Sequence, residues 1–377
     1  MTLARTFFSL LLLCSPFLSA QNPPPGTTKD DEDIVKAGPK DPFTANEPKA
    51  MQAAGVIAYG PFVWADNMLT EEVEKVLGVG RVRWIETAHF LIGFNLATAS
   101  MPEESDGRKL VNSELQRMHK RFTKFPERAS KLEPWLRLHL YAQRAEELYA
   151  DFAKLVGHDE ASGKHLGQTG KFPILLFQKK SDLARYLDRF CNIKSEHSQR
   201  CYYGKTMQRG FALTAEGEET RDESTVHAQF RFLLFETFGD AIGGLPYWLS
   251  LGLAHYYERQ VPSRTILAAI KDEESVDPET QHKWHAKMKA RAQHEKLLIP
   301  FRDLAGKTEF GYFAHLQAWS RVDYLMTLDR AKFGTFCKGM NGGYGTSRQL
   351  EQLALVYELE AEAFDAKWRE WVLKTYK

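Results

Sequence analysis

The sequence predicts an α+β fold in which a small mixed sheet is followed by a predominantly helical C-terminal half. The chain has 377 residues, of which 43% are hydrophobic, so it can bury a substantial core. The apolar run at 172–177 is short and β-rich, and a helical segment at 181–187 follows it at once, which is typical of α+β proteins. From residue 245 onward nearly every segment has helical character.

The remaining elements follow from the spacing of apolar residues. Residues 81–98 carry alternating apolar side chains interrupted by Gly93, a pattern that predicts one or two strands. Apolar residues three and four apart predict helices at 104–122 and 132–156. The other predicted elements are a helix at 67–77, a strand at 209–214 and helices at 223–238, 248–258, 311–328, 332–337, 347–357 and 361–376.

The N-terminus has the three parts of a secretory signal peptide, which we predict to be residues 1–20. Arg5 supplies a positive charge, an apolar run covers 7–13, and small residues end the segment at 18–20. The apolar run is too short to span a bilayer. We therefore expect an exported protein, either periplasmic or secreted. A lipoprotein attached at Cys14 ranks second, because a leucine precedes this cysteine where lipid attachment needs a small residue.

Charge and composition exclude several classes of function. Without residues 1–20 the chain carries 49 basic and 49 acidic side chains, so it has no electrostatic footprint for nucleic acid or an anionic membrane. No later segment is apolar over the roughly 20 residues that a transmembrane helix needs. Residues 21–60 are rich in Pro, Gly, Lys and Asp and are predicted to be a disordered or loosely packed lead-in. One domain is then expected at 61–377, with its α+β part ending near residue 240.

Three cysteines follow the predicted signal peptide. Cys191 and Cys201 flank a polar segment, 192–200, that is predicted to be a loop. A disulfide that closes this loop is one alternative in an oxidising compartment, and two free thiols are the other. Their spacing excludes a C-x2-C zinc ribbon. Cys337 is predicted to be a buried, unpaired thiol.

Two consecutive helical segments decide the functional interpretation. The first, 224–231, reads S-T-V-H-A-Q-F-R, and the second, 244–258, reads G-L-P-Y-W-L-S-L-G-L-A-H-Y-Y-E. Together they resemble the peptidase MA-like domains of exported bacterial proteins, which belong to the gluzincin metallopeptidases. In that family an H-E-x-x-H helix is followed by a segment of the form P-x-W-L-x-E-G-L-A. The positions that match the second pattern are Pro246, Trp248, Leu249, Gly252, Leu253 and Ala254.

This resemblance implies a zincin-like fold from about residue 81 to the C-terminus, together with a metal site that this chain has lost. In the family both histidines of the first helix bind Zn²⁺, the intervening acid is the general base, and a Glu on the second helix is a further ligand. Here His227 alone is retained, while Ala228 replaces the base, Arg231 the second histidine and Leu251 the glutamate. A guanidinium one turn from His227 repels a divalent cation. We therefore predict no bound metal, no other cofactor and no zinc hydrolysis.

An active metal-dependent peptidase with a rearranged metal site is the first alternative. Glu223 lies four residues before His227, and His255 on the second helix can face the same cleft if the helices pack as in the family. The opposing interpretation makes His255 a partly buried residue beside Tyr256 and Tyr257, and Glu223 a solvated acid. We favour it because the general base is missing in either arrangement.

The leading hypothesis is a non-catalytic zincin-like domain, a pseudo-metallopeptidase, that binds a peptide or protein partner. Its candidate cleft residues are His227, Arg231, His255 and Tyr256, and the first two offer a cationic spot for a carboxylate. The strand at 208–214 is the candidate edge strand, which could pair with an extended peptide without any metal. A purely structural helical module within an exported assembly is the other alternative.

Overall fold

The computed structural model describes residues 29–36, 38, 40–217, 222–264, 280–342 and 345–377, and these form a mixed α+β structure as predicted. The predicted signal peptide lies outside the described residues. The helices are α1 Lys29–Lys36, α2 Pro48–Ala54, α3 Thr70–Leu77, α4 Ser105–Arg121, α5 Pro134–Leu155, α6 Lys180–Tyr186, α7 Glu223–Ala241, α8 Tyr247–Glu258, α9 Trp284–Ala292, α10 Phe301–Ala305, α11 Tyr312–Leu328, α12 Arg330–Gly339, α13 Thr346–Tyr357 and α14 Ala361–Thr375. The strands are β1 Ala58–Tyr59, β2 Arg83–Glu86, β3 Phe90–Asn95, β4 Ala99–Ser100, β5 Lys131–Leu132, β6 Phe172–Phe177, β7 Gln199–Tyr203 and β8 Gln208–Thr214.

The main sheet has six strands in the order β1-β2-β3-β6-β8-β7. Strands β3, β6 and β8 are parallel, and the other neighbours pair in antiparallel fashion. Every residue of β6 is buried, which explains why its sequence is continuously apolar and does not alternate. Strands β4 and β5 form a separate antiparallel pair.

The predicted edge strand at 208–214 is wrong, because β8 lies inside the sheet. It pairs with β6 on one side and with β7 on the other, so its backbone has no free edge for a peptide. The position of β8 inside the sheet could not be predicted, because its partner β7, at Gln199–Tyr203, begins within the polar segment that is predicted to be a loop. Among the described strands, β1 and β7 form the two edges of this sheet.

Helices cover both faces of the sheet. Helices α5 and α7 pack on one face, where Phe90, Phe172 and Phe238 are fully buried. Helices α3 and α6 pack on the other face over Trp84. The glycine that interrupts the pattern of β3 is required by this packing, because a Cβ on Gly93 would lie 2.6 Å from the Trp84 ring. The α5/α7 face positions the functional site.

The C-terminal helices extend the layer that α7 begins. Helix α8 packs on α7, and α11 packs on α8. A Cβ on Gly252 would lie 2.6 Å from the carbonyl oxygen of Ala318, so the α8–α11 contact requires glycine at this position. Trp248 is fully buried and donates its indole N–H to Gln349 at 2.8 Å. The residues that carry the family resemblance on α8 therefore serve packing in this chain. Among the described residues, no helix has the length and apolar character of a membrane-spanning segment.

The predicted loose lead-in differs from the structure over residues 40–60, which are packed against α5. Asp41 is fully buried, and its carboxylate accepts hydrogen bonds from Thr44 Oγ1 at 2.5 Å, Tyr59 OH at 2.5 Å and His139 Nε2 at 3.0 Å. Burial raises the pKa of Asp41, but hydrogen bonding and charge from His139 outweigh it, so the pKa is lowered overall. The composition of residues 40–60 could not predict this anchor, because the partner of Asp41 is His139, which is far away in the sequence.

We expect Asp41→Asn to lower the free energy of unfolding by about 2–3 kcal/mol, since the amide cannot accept all three hydrogen bonds. Urea denaturation measures the difference. Glu47→Gln, at an exposed residue of the same segment, is the control and should change stability by less than about 0.5 kcal/mol. Equal effects of the two substitutions would contradict the anchoring role.

The three cysteines among the described residues are free thiols. Cys191 and Cys201 lie 3.4 Å apart and are not bonded, so of the two alternatives this structure has the free thiols. Cys337 is fully buried and unpaired, as predicted, and burial raises the pKa of its thiol.

Candidate functional site

A pocket of about 370 Å³ opens between α4, α5, α7, α8 and the start of α12. It brings together His227 and Arg231, two of the residues that the sequence identifies as candidates. The other side chains that line the pocket are Leu110, Glu114, Arg117, Arg144, Glu147, Leu148, Asp151, Tyr257, Gln260 and Arg330. A second depression, of about 520 Å³ beside residues 156–159, has only exposed or half-buried ionisable groups in its wall.

Each acid in the pocket wall already has an arginine partner. The pairs are Arg117–Glu147 at 2.9 Å, Arg144–Glu114 at 2.8 Å and Arg330–Asp151 at 2.6 Å. Tyr257 also donates its hydroxyl hydrogen to Asp151 at 2.7 Å. The charges of these carboxylates are therefore already balanced by arginines before any ligand enters.

Behind the pocket, Glu223 ties α7 to α5. Its buried carboxylate accepts from Arg137 at 2.7 Å and from Arg144 at 2.9 Å. Burial raises the pKa of Glu223, but the charges of the two arginines outweigh it and hold the pKa below its usual range. The prediction of a solvated acid is therefore wrong, because the first turn of α7 faces α5 and not water.

Arg231 differs from the other arginines of the pocket because no carboxylate pairs with it among the described residues. Its side chain is only 9% exposed. Nη2 donates to Gln260 Oε1 at 2.7 Å, whereas Nε is buried without a hydrogen-bond partner. Burial lowers the pKa of Arg231 to about 10, against opposing contributions from Glu114 and Tyr257. The guanidinium is thus still charged at neutral pH, and this buried charge is not neutralised.

His227 lies one turn before Arg231 and is also buried. Its Nε2 atom is 4.0 Å from the nearer oxygen of Glu114. Burial, together with the positive charges of Arg144 and Arg231, lowers the pKa of His227 well below its usual value. The imidazole is therefore neutral at neutral pH, so Arg231 supplies the uncompensated charge of the pocket.

The other two positions that match the family's metal site lie elsewhere. Ala228 and Leu251 are buried, and neither lines the pocket. Helices α7 and α8 are antiparallel, so Tyr257 and Gln260 face Arg231. Leu251 precedes Gln260 by about two and a half helical turns. Its neighbour Ser250 lies 3.5 Å from where a Cβ on Gly239 would stand, near the C-terminal end of α7. The four positions do not converge, and one imidazole beside a guanidinium does not fit a zinc ion.

His255 does not face the pocket, contrary to the geometry that the alternative metal site requires. It is fully buried against α11, where its Nε2 atom lies 3.0 Å from His315 Nδ1 and its Nδ1 atom 2.6 Å from Glu258. Tyr256 is partly buried beside Tyr257 and does not line the pocket either. No group of three His, Cys, Asp or Glu side chains within the described ranges is arranged to hold a metal ion.

The His255 cluster is a neutral hydrogen-bonded chain. Burial raises the pKa of Glu258 to about 8, against the opposing charge of Arg259, and burial lowers the pKa of His255 well below its usual value. At neutral pH protonated Glu258 therefore donates to His255 Nδ1, and His255 Nε2 then donates to His315. This assignment satisfies both ring nitrogens of His255 and leaves neither His255 nor Glu258 charged.

The raised pKa of Glu258 predicts a pH-dependent stability. A carboxyl whose folded-state pKa exceeds its unfolded value stabilises the protein below about pH 4.3, and this contribution is lost as the pH rises through about 8. We expect Glu258→Gln to gain stability relative to the wild type by up to about 1.4 kcal/mol per pH unit between these limits. Urea denaturation at pH 5, 6, 7 and 8 measures the difference. A pH-independent difference would contradict the protonated state of Glu258.

Sequence reasoning missed most of the pocket wall, although one signal was visible. Helix α5, which is predicted from the spacing of its apolar residues, carries Arg144, Glu147 and Asp151 at spacings of three and four, which places them along one side of the helix. A buried helix with a charged stripe needs partners for those charges. Their partners lie on α4, α7 and α12, and only the fold identifies them.

Comparison with known proteins adds no assignment to this geometry. Neither a scan against protein-family models nor a search of curated proteins finds a match to the chain. The functional conclusion therefore depends on the chemistry of the pocket.

Proposed function

We propose that this chain is an exported, non-catalytic zincin-like domain, a pseudo-metallopeptidase, that binds an acidic group of a peptide or protein partner in the Arg231 pocket. One observation carries the proposal: a buried guanidinium has a neutral amide as its hydrogen-bond partner while every other arginine of the pocket is paired with an acid. The pattern of α8 residues and the mixed sheet beneath α7 support the zincin-like part.

The charge balance of the pocket favours an anionic ligand. Since three arginine–carboxylate pairs cancel, Arg231 leaves a formal charge of about +1 on a side chain that is itself largely shielded from water. A buried charge is costly unless a counter-charge accompanies it. A ligand that brings one negative charge therefore removes a cost that the free protein bears.

The shape of the guanidinium favours a carboxylate. Its planar N–H groups match the two oxygens of a carboxylate in a fork-like arrangement. A volume of about 370 Å³ lies near the lower end of small-ligand pockets. It suits a chain end or one acidic side chain, with the rest of the partner outside the pocket.

The same residues disfavour hydrolysis. A peptidase needs a general base with a free lone pair beside the scissile bond. Glu114, Glu147 and Asp151 all accept hydrogen bonds from arginines, and His227 has Ala228 beside it where the family has the catalytic acid. The proposal does not include strand pairing at 208–214, because β8 is an interior strand.

Affinity selection with two random hexapeptide libraries tests the proposed function. One library has free C-terminal carboxylates and lacks Asp and Glu, and the other is amidated and lacks them too. We expect the immobilised protein to retain peptides from the first library only. Arg231→Gln should abolish retention, whereas Arg348→Gln, the same charge change at an exposed residue, should not.

Three outcomes would contradict the proposal. Equal retention of both libraries would show that the protein does not recognise the C-terminal carboxylate. About one equivalent of bound zinc, lost together with peptidase activity on chelation, would establish an active metallopeptidase. No retention of any peptide, combined with stable capture of a protein complex, would favour the purely structural module.

A further inference from the structure

Cys191 and Cys201 form a close pair at the edge of the sheet. Cys191 ends a π-helical turn at Leu187–Cys191, and Cys201 is the central residue of β7. The two free cysteines approach to 3.4 Å. We propose that they are a reversible redox pair, whose oxidation to a disulfide locks the edge strand β7 to the preceding helical turn.

The two thiols differ in accessibility, which sets the order of the reaction. Cys191 is half-buried, whereas Cys201 is buried beneath it. An external oxidant therefore meets Cys191 first. The hydrogen bond with Cys191 and then burial raise the pKa of the Cys201 thiol well above its usual value. Once Cys191 has reacted, its hydrogen bond with Cys201 is lost and no longer raises the pKa of the Cys201 thiol.

The reaction is a thiol–disulfide exchange with a small disulfide such as oxidised glutathione. The thiolate of Cys191 attacks one sulfur of the oxidant, forms a mixed disulfide and releases one glutathione thiolate, which takes up the proton that Cys191 lost. Cys201 then loses its proton and attacks the Cys191 sulfur. The bond between the two protein sulfurs forms, and a second glutathione leaves and takes up that proton. Two protein thiols are oxidised, and one disulfide is reduced to two thiols.

The position of the pair gives the bond a mechanical consequence. Strand β7 pairs with β8 alone, and its other backbone edge has no strand partner among the described residues. Outside the sheet it is held by Arg200, which contacts Asp240 and Glu236 on α7 from a partly exposed position, and by the buried Tyr203, whose hydroxyl lies 2.5 Å from that of Tyr186. A bond at Cys201 closes the ring 191–201 and removes chain entropy from the unfolded state. The bond then ties the strand to the π-helical turn across the sheet face that also buries Trp84 and Tyr186.

Oxidation of the purified, fully reduced protein tests the proposal. After incubation with oxidised glutathione, we expect intact-mass spectrometry to show the loss of two hydrogens and peptide mapping to place the bond between Cys191 and Cys201. The melting temperature should rise by about 5 °C and return to its starting value after reduction. Cys337 should remain a free thiol throughout, because it is fully buried.

Two cysteine variants serve as the positive and negative controls of this experiment. Cys337→Ser should oxidise and gain stability like the wild type, whereas Cys191→Ser should fold but show neither the mass loss nor the stability gain. A disulfide that includes Cys337, or persistent glutathione adducts in place of the internal bond, would overturn the pairing. Bond formation without a rise in melting temperature would overturn the lock on β7.

Discussion

Replacing Arg231 by methionine is expected to raise the free energy of unfolding by about 1–3 kcal/mol while it abolishes ligand binding. The buried guanidinium has no carboxylate partner among the described residues, so its desolvation is not repaid in the free protein. Methionine fills a similar volume without a charge. The hydrogen bond to Gln260 is a small loss, because this exposed amide can bond to water. Urea denaturation without ligand measures the gain.

A matched substitution at a paired arginine should have the opposite sign. Arg144 is also buried but contacts Glu114 and Glu223 at 2.8 and 2.9 Å. Arg144→Met leaves both carboxylates without this partner, so we expect a loss of about 3–5 kcal/mol. If both methionine variants were destabilised to the same extent, Arg231 would be a structural residue and the functional interpretation of its missing partner would fail.

Substitution of Glu223 should produce a loss of stability as large as that of Arg144→Met. Its side chain is fully buried and joins α7 to Arg137 and Arg144 of α5. Glu223→Gln keeps the shape but removes the charge that neutralises Arg137, whose other hydrogen bond goes to the carbonyl oxygen of Ala97. We expect a loss of about 3–5 kcal/mol in urea denaturation.

The pair Arg117–Glu147 provides the control for this prediction within the same group of helices. Its side chains are 47% and 44% exposed, so water screens their attraction. Glu147→Gln should therefore cost at most about 1 kcal/mol. A Glu223→Gln variant as stable as Glu147→Gln would show that the buried network does not hold α7 in place.

Much of the fold could be predicted because the apolar pattern of each element is local. The run at 172–177 coincides with β6, and the helix predicted at 132–156 is α5 at Pro134–Leu155. The edge of the sheet could not be predicted, since β7 alternates polar and buried residues within a segment of loop-like composition. The packing of residues 40–60 could not be predicted for a related reason, because the buried partner of Asp41 is His139, which is far away in the sequence.

The site was predictable only in part, because its chemistry depends on contacts between distant helices. The i, i+4 spacing of His227 and Arg231 placed both in one pocket. The resemblance also grouped Leu251 and His255 with them, but the antiparallel crossing of α7 and α8 directs His255 toward His315 and leaves Leu251 away from the pocket. No local pattern encodes the register of that crossing.

The most direct test of an unpaired, carboxylate-binding Arg231 is the melting temperature of the protein as a function of N-acetylglycine concentration. This compound carries the carboxylate of a peptide end, and N-acetylglycinamide is its neutral counterpart. The wild type should be stabilised in a saturable manner by the acid and not by the amide, while Arg231→Met should respond to neither. Equal stabilisation of the wild type and Arg231→Met by the acid would contradict the assignment of Arg231 as the anion site.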